Sequence, residues 1–196
     1  MLPRNSSLTD FHCILVPKEH LPVLTQADED TWSDLQKLRK VLTRIFEAEE
    51  MDCIFLQTSV KLSQRSHAVM QCVPIPVESA DMMPMYFKKA IEECETEWSM
   101  NKKLVRLTDG GARSCIPKGL PYFAVDFGEQ NGYAHVIEDR DRFPEYFGLE
   151  VIGSVLDVAP SLWLKPPSET FQEQSKKVMT FENLWTKHDG EKKISS

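Results

Sequence analysis

Apolar residues in this chain come in short runs, and prolines stop several of them. The runs are Phe11–Pro17 (FHCILVP), Asp52–Thr58 (DCIFLQT), His67–Val73 (HAVMQCV, then Pro74 and Pro76) and Tyr122–Phe127 (YFAVDF). Each is short, apolar and bounded by turn residues, which predicts a buried strand. Tyr133–Ile137 (YAHVI) follows the turn Glu129-Gln130-Asn131-Gly132 and completes a hairpin with YFAVDF. Segments of helical period lie between the strands. Asp28–Met51 carries Trp32, Leu35, Leu38, Leu42, Ile45 and Phe46 on one stripe. Asp28 and Asp30 stand at its start, where a carboxylate caps free N–H groups and suits the helix dipole. Met82–Trp98, Phe143–Val158 and Ser168–Trp185 repeat the pattern, the last through Phe171, Val178, Phe181 and Trp185. Antiparallel-looking strands mixed with helices predict an α+β fold.

Punctuation suggests how the chain divides. Met1–Asp10 is polar and reads as a disordered lead-in. Asn101–Gly119 holds Gly110, Gly111, Pro117 and Gly119 and reads as a long loop at an internal boundary. The expected organisation is a lead-in over 1–10, a first domain over 11–118, a smaller second region over 119–189 and a tail over 190–196. With 196 residues, 41% of them hydrophobic, the chain can bury a core, which excludes disorder throughout. No run approaches the ~18 apolar residues of a membrane-spanning helix, so no membrane partner is expected. The net charge of −7 argues against a general nucleic-acid coat, which needs a basic field. Cys13, Cys53, Cys72, Cys94 and Cys115 are odd in number and widely spaced, and read as free thiols of a reducing compartment. Without a C-x-x-C pair they build no four-cysteine zinc site.

Few residues point to chemistry. Strand alternation places His67, Val69, Gln71 and Val73 on one face, with Ala68, Met70 and Cys72 on the other. That face is either a hydrogen-bonded, half-buried strand or the floor of a small polar pocket. His12 and His20 flank the first strand and its loop, and each by itself reads as structural. There is no G-x-S-x-G elbow and no phosphate-binding G-x-x-x-x-G-K-[ST] loop. The stretch Met100–Lys118 holds Lys102, Lys103, Arg106, Arg113 and Lys118, either a solvated loop or a set of phosphate contacts.

Phe11-His12-Cys-Ile-Leu-Val-Pro17, then Glu19-His20, a helix, a strand, and His67-x-x-x-Gln71-x-Val-Pro resemble the order of the histidine triad (HIT) superfamily. Further stretches sharpen the match: Phe87-Lys-Lys-Ala-Ile91, Glu97-Trp-Ser-Met-Asn-Lys-Lys103 and Lys118-Gly-Leu-Pro-Tyr-Phe-Ala-Val-Asp-Phe-Gly128. Gly132-Tyr-Ala-His-Val-Ile-Glu138 and Phe143-Pro-x-Tyr-Phe-Gly148 complete it. These resemble the two C-terminal regions of the CwfJ family, in its spliceosome-associated branch. The resemblance implies a HIT-like antiparallel sheet with packed helices, plus a smaller C-terminal α/β region. It also implies a nuclear factor of late, post-catalytic spliceosomes that promotes release or debranching of the intron lariat. The partners so implied are spliceosomal proteins, intron-lariat RNA and the debranching enzyme.

Carried over residue by residue, the resemblance puts Val69 where active HIT enzymes place the histidine that attacks phosphorus. Valine has no lone pair to attack with, so no nucleotidyl transfer is expected. His12, Gln57, His67 and Gln71 would be the remnant of the pocket. The rival reading is a HIT-class nucleotide hydrolase or transferase with an atypical site. In zinc-bearing HIT relatives an upstream cysteine pair joins histidines like His20 and His67. The chain reads as amino-terminally short of that pair, so His20 and His67 would be half a site. No cofactor is expected unless such a pair is supplied. A third reading is a truncated copy with no activity of its own.

Overall fold

The computed structural model of the chain describes residues 1–62, 66–94 and 104–188. Among them the strands form one six-stranded antiparallel sheet, ordered β1-β3-β2-β5-β6-β4. The strands are β1 (Cys13–Leu15), β2 (Met51–Ser59), β3 (Met70–Pro76), β4 (Val105–Arg106), β5 (Tyr122–Phe127) and β6 (Gln130–Val136). The helices are α1 (Glu29–Glu47), α2 (Val77–Ala80), α3 (Met83–Glu93), α4 (Gly111–Cys115), α5 (Phe147–Val155), α6 (Ser161–Leu164) and α7 (Phe171–Lys187). The α+β expectation holds. No described helix is long and apolar enough to cross a membrane.

Strand alternation sorts the core into layers. Cys53 and Phe55 of β2, with Met70 and Cys72 of β3, face α1 and α7. Ile54 and Leu56, with Val73 and Ile75, face the opposite way, toward α3 and α5. The predicted stripe of α1 is buried at Trp32, Leu35, Leu42, Ile45 and Phe46, and Asp28 caps the helix by accepting the Thr31 N–H at 2.8 Å. Phe123 brings the aromatic rings of the second layer together, T-shaped on Phe147 at 4.9 Å and tilted on Phe143 at 6.2 Å.

The structure departs from the sequence reading in several places. The boundary expected after 118 does not part the sheet, because β5 pairs directly with β2, from Ile54↔Phe127 to Ser59↔Tyr122. Five of the six residues of β5 are buried, as a central strand requires. β3 starts at Met70 rather than His67 and runs on through Pro74 and Pro76. Both prolines lie past the end of β1, where β3 is an edge and a missing N–H breaks no ladder. The long loop contains β4 and α4. α5 starts at Phe147, four residues later than predicted, with Phe147 N–H bonded to Pro144 O at 3.0 Å.

Met1–Asp10 is not a loose lead-in. Met1 and Ile14 exchange both main-chain hydrogen bonds, at 2.8 and 2.7 Å, Asn5 bridges Ser168, and Leu8 is buried. Lys177 pins the segment by donating to Pro3 O at 2.7 Å and pairing with Glu169 at 2.6 Å. α7 carries a capping box between Thr170 and Glu173. Its inward residues are Leu184 with Phe181 and Trp185, whereas Phe171 and Val178 of the predicted stripe are exposed. The tail expected over 190–196 lies outside the described residues.

Gly132 was expected in the hairpin turn and instead sits inside β6, at a register shift opposite Val125 and Phe127. A Cβ there would stand 2.2 Å from the Val125 carbonyl oxygen, a backbone atom that cannot step aside. Gly132→Ala should therefore cost roughly 2–3 kcal/mol through overpacking. The check is a lower urea midpoint at unchanged m-value; an unchanged midpoint would show that the bulge relaxes freely.

Candidate functional site

His12 and Gln71 are the two pocket candidates that the fold joins. β1 pairs with β3 through Ile14↔Gln71, so His12, two residues before Ile14, shares the face of Gln71. The His12 Nε2 donates to Gln71 Oε1 at 3.1 Å as the side chains are placed. Its Nδ1 is buried with no hydrogen-bond partner among the described residues. Burial pushes the imidazole down to about 4; the Gln71 bond opposes that shift and the Lys177 charge adds to it. His12 is thus a neutral, enclosed ring at physiological pH.

Gln57 is on the other side of the sheet. It pairs with Ala124, shares the face of Phe55, and is buried. Its Oε1 accepts from the Tyr122 hydroxyl at 2.9 Å, and burial holds that phenol well above its ordinary range. Its Nε2 finds no partner among the described residues. Gln57 and Gln71 therefore line no common cavity.

His67 also leaves the expected face. β1 ends opposite Met70, so the residues before Met70 have no strand to join on that side, and the Ala68 N–H turns to Leu21 O at 2.6 Å. His67 is exposed, its Nε2 donates to Pro17 O at 3.0 Å, and its ring meets His20 edge-on at 5.2 Å between centroids. Between His67 and Gln71 stands the half-buried Val69, which offers no attacking atom.

His20 and His67 come together as two candidate metal ligands, with the His67 Nε2 already bonded to a carbonyl. No group of three or more His, Cys, Asp or Glu suited to a metal occurs among the described residues. The residues present thus supply half of a tetrahedral zinc shell and do not fit the ion by themselves.

The basic stretch is not a uniform patch. Arg113 pairs with the Glu29 carboxylate, donates to Ala27 O at 3.4 Å and lies over the Trp32 ring at 5.8 Å. It clamps α4 to the start of α1. Arg106 and Lys118 are exposed, and Lys102 and Lys103 lie outside the described residues.

Two family models cover almost the whole chain. Residues 1–88 match "Protein similar to CwfJ C-terminal", and residues 97–190 match "Protein similar to CwfJ C-terminus 2". The chain belongs to the CwfJ C-terminal family. CWF19-like protein 2 of Mus musculus is 51% identical over 195 residues, which is 100% of this chain and 22% of that protein. The CWF19-like protein 2 homolog of Drosophila melanogaster is 46% identical over 188 residues, 96% of this chain and 27% of the relative. Pre-mRNA-splicing factor cwf19 of Schizosaccharomyces pombe is 27% identical over 199 residues, 95% of this chain and 31% of the relative. The chain thus spans between a fifth and a third of these relatives.

In this CwfJ-family chain, sequence reasoning missed the most enclosed charges. Arg39 of α1 meets Asp126 of β5 at 3.3 Å, with their side chains 5% and 2% exposed. The guanidinium also donates to Gly128 O at 3.0 Å and Gln130 O at 2.9 Å, and lies over the Phe55 ring at 5.2 Å. The second Asp126 oxygen accepts the Gly132 N–H at 3.1 Å. Burial pushes the Asp126 carboxyl up, and the Arg39 charge and the Gly132 bond oppose it. An aspartate inside YFAVDF was the available signal. Its partner was hidden because Arg39 reads as solvated on a charged helix.

Proposed function

We propose that this chain is a non-enzymatic module of a nuclear, spliceosome-associated splicing factor. The names of its relatives, CWF19-like protein 2 and pre-mRNA-splicing factor cwf19, support the splicing role. Within that role we place it at the late intron-lariat stage, promoting lariat release or debranching through contacts with spliceosomal proteins, lariat RNA and the debranching enzyme. The observation that carries the non-enzymatic part is Val69, flanked by a His67 whose Nε2 is bonded to the Pro17 carbonyl. Attack on phosphorus needs an imidazole lone pair in line with the leaving group; Val69 has none, and the Nε2 of His67 is turned to the Pro17 carbonyl. RNA contact on this reading falls to Arg106, Lys118, Lys102 and Lys103, since the Arg113 charge is already paired. Zinc would be held tightly only with two further ligands beyond His20 and His67; stoichiometric zinc in the purified chain would contradict this.

The rival reading, a HIT-class nucleotide hydrolase or transferase, draws on the neutral His12 and its bond to Gln71. Two measurements separate the readings. Incubation with adenosine phosphoramidate or a dinucleoside polyphosphate should give no turnover above a buffer blank, whereas turnover that is lost in His67→Ala or His12→Gln would establish an enzyme. A tagged chain in nuclear extract should recover excised lariats with late splicing factors. A folded chain that recovers neither would remove the lariat-stage role.

A further inference from the structure

We propose that Cys13 and Cys72 are a poised redox pair, which hydrogen peroxide joins as a disulfide that locks β1 onto β3. This goes beyond the splicing reading and does not depend on it.

Three of the free thiols meet on the α1 face of the sheet. The Cys72 thiol is hydrogen-bonded to those of Cys13 and Cys53, and burial together with these neighbours holds it well above the ordinary thiol range. Register decides which pair closes. Met1 takes both main-chain bonds of Ile14, so Cys13 turns its own inward to β3, where it stands directly opposite Cys72. A hydrogen-bonded antiparallel pair sets its Cα atoms about 5.5 Å apart, inside the span that a disulfide bridges. Cys53 stands opposite Pro74, two residues further along β3. Its diagonal to Cys72 is roughly 7–8 Å, beyond that span. Cys53 thus sits beside the pair, its sulfur 3.5 Å from the Thr43 hydroxyl. The three thiols are not a metal site, since no metal-holding group of three occurs among the described residues. Two thiols in contact share a different chemistry, oxidation to a disulfide.

Burial sets when the pair reacts. Cys13 is 3% exposed and Cys72 0%, and the reacting form is the thiolate, so the closed sheet shields both. β1 has three residues, and a brief parting from β3 admits the oxidant to Cys13. The Cys13 sulfur bonds to one peroxide oxygen as the O–O bond breaks, giving a sulfenic acid and one water. When β1 closes again, the Cys72 sulfur bonds to the Cys13 sulfur as the S–O bond breaks. A second water carries off the Cys72 proton. The two thiols lose two protons and two electrons in all, and the peroxide gains them. The new bond fixes the rung next to Ile14↔Gln71, and with it the chain that carries His12 to Gln71. Exchange with small thiols restores the reduced pair, so the lock is reversible.

The test uses the 196-residue chain with Cys94→Ser and Cys115→Ser, which keeps the two half-exposed thiols out of the reaction. The folded chain is treated with hydrogen peroxide, its remaining thiols are alkylated in denaturant, and the digest is read by mass spectrometry. The expected product is a peptide linking Cys13 to Cys72, with Cys53 alkylated and the link opened by dithiothreitol. Cys53→Ala, checked for folding by circular dichroism, should keep that link. The oxidised chain should exchange the Cys13 and Leu15 amides about tenfold or more slowly than the reduced chain, because β1 no longer parts from β3. A Cys53–Cys72 link, no link at all, or a Cys13–Cys72 link that forms equally in the urea-unfolded chain would overturn the proposal. Unchanged amide exchange in the linked chain would overturn the lock.

Discussion

Replacing Arg39 with Met is expected to lower stability by roughly 3–5 kcal/mol, because it strands a buried carboxylate. Asp126 would keep one hydrogen bond, from the Gly132 N–H, while the Gly128 and Gln130 carbonyls lost their donor. The loss is a large share of the ~5–15 kcal/mol that holds a domain folded. It would read as a urea midpoint lower by about 2 M at a typical slope. The penalty also carries a sign with pH. Burial already raises Asp126, and removing the opposing Arg39 charge raises it further. A folded-state carboxyl above its unfolded value binds its proton more readily folded than unfolded, so that stability is lost as pH rises through the folded value. Arg39→Met should therefore be hurt more at pH 7 than at pH 5. Replacing both partners, Arg39→Met with Asp126→Leu, should recover part of the loss. Equal stability of wild type and the single variant would mean that the ion pair holds nothing together.

Acidification should destabilise the chain through His12 by about 3 kcal/mol between pH 7 and pH 4. The folded ring titrates at about 4 and the unfolded one near 6.5. Between those values the unfolded chain takes up a proton that the buried ring refuses, so stability falls as pH falls, and the loss is complete below the folded value. His12→Gln keeps a donor for Gln71 and carries no titration. Its urea midpoint should change much less than that of wild type between pH 6.5 and 4. The lowered carboxyls of Asp28, Glu49 and Glu173 act near and below pH 4 and remain in both proteins. Identical pH profiles for the two chains would show that His12 is not enclosed.

Much of the fold is legible in residue order. The cores of β2 and β5 coincide with their apolar runs, and the α1 stripe was visible from spacing. Boundaries were less legible where the partner decides them. β3 begins where β1 stops covering it, and no property of His67, Ala68 or Val69 announces that. The short α4, α6 and β4 have too few residues for a period to register. In α7 the apolar spacing suggested a buried stripe, yet Phe171 and Val178 are exposed, since a helix over a sheet edge has room to bury only part of its circumference.

The candidate site shows the same division. The sequence by itself determined which chemistry is present: Val69 without a lone pair, two histidines able to ligate a metal, and no phosphate-binding loop. These follow from side-chain identity, which folding does not change. Only the tertiary structure decided which residues meet. Strand register put Gln57 and Gln71 on opposite faces, joined His12 to Gln71, turned His67 out to His20, and buried Arg39 against Asp126. Register has a period of two, so a shift of one residue exchanges the faces, and it is set by pairing between segments far apart in the chain.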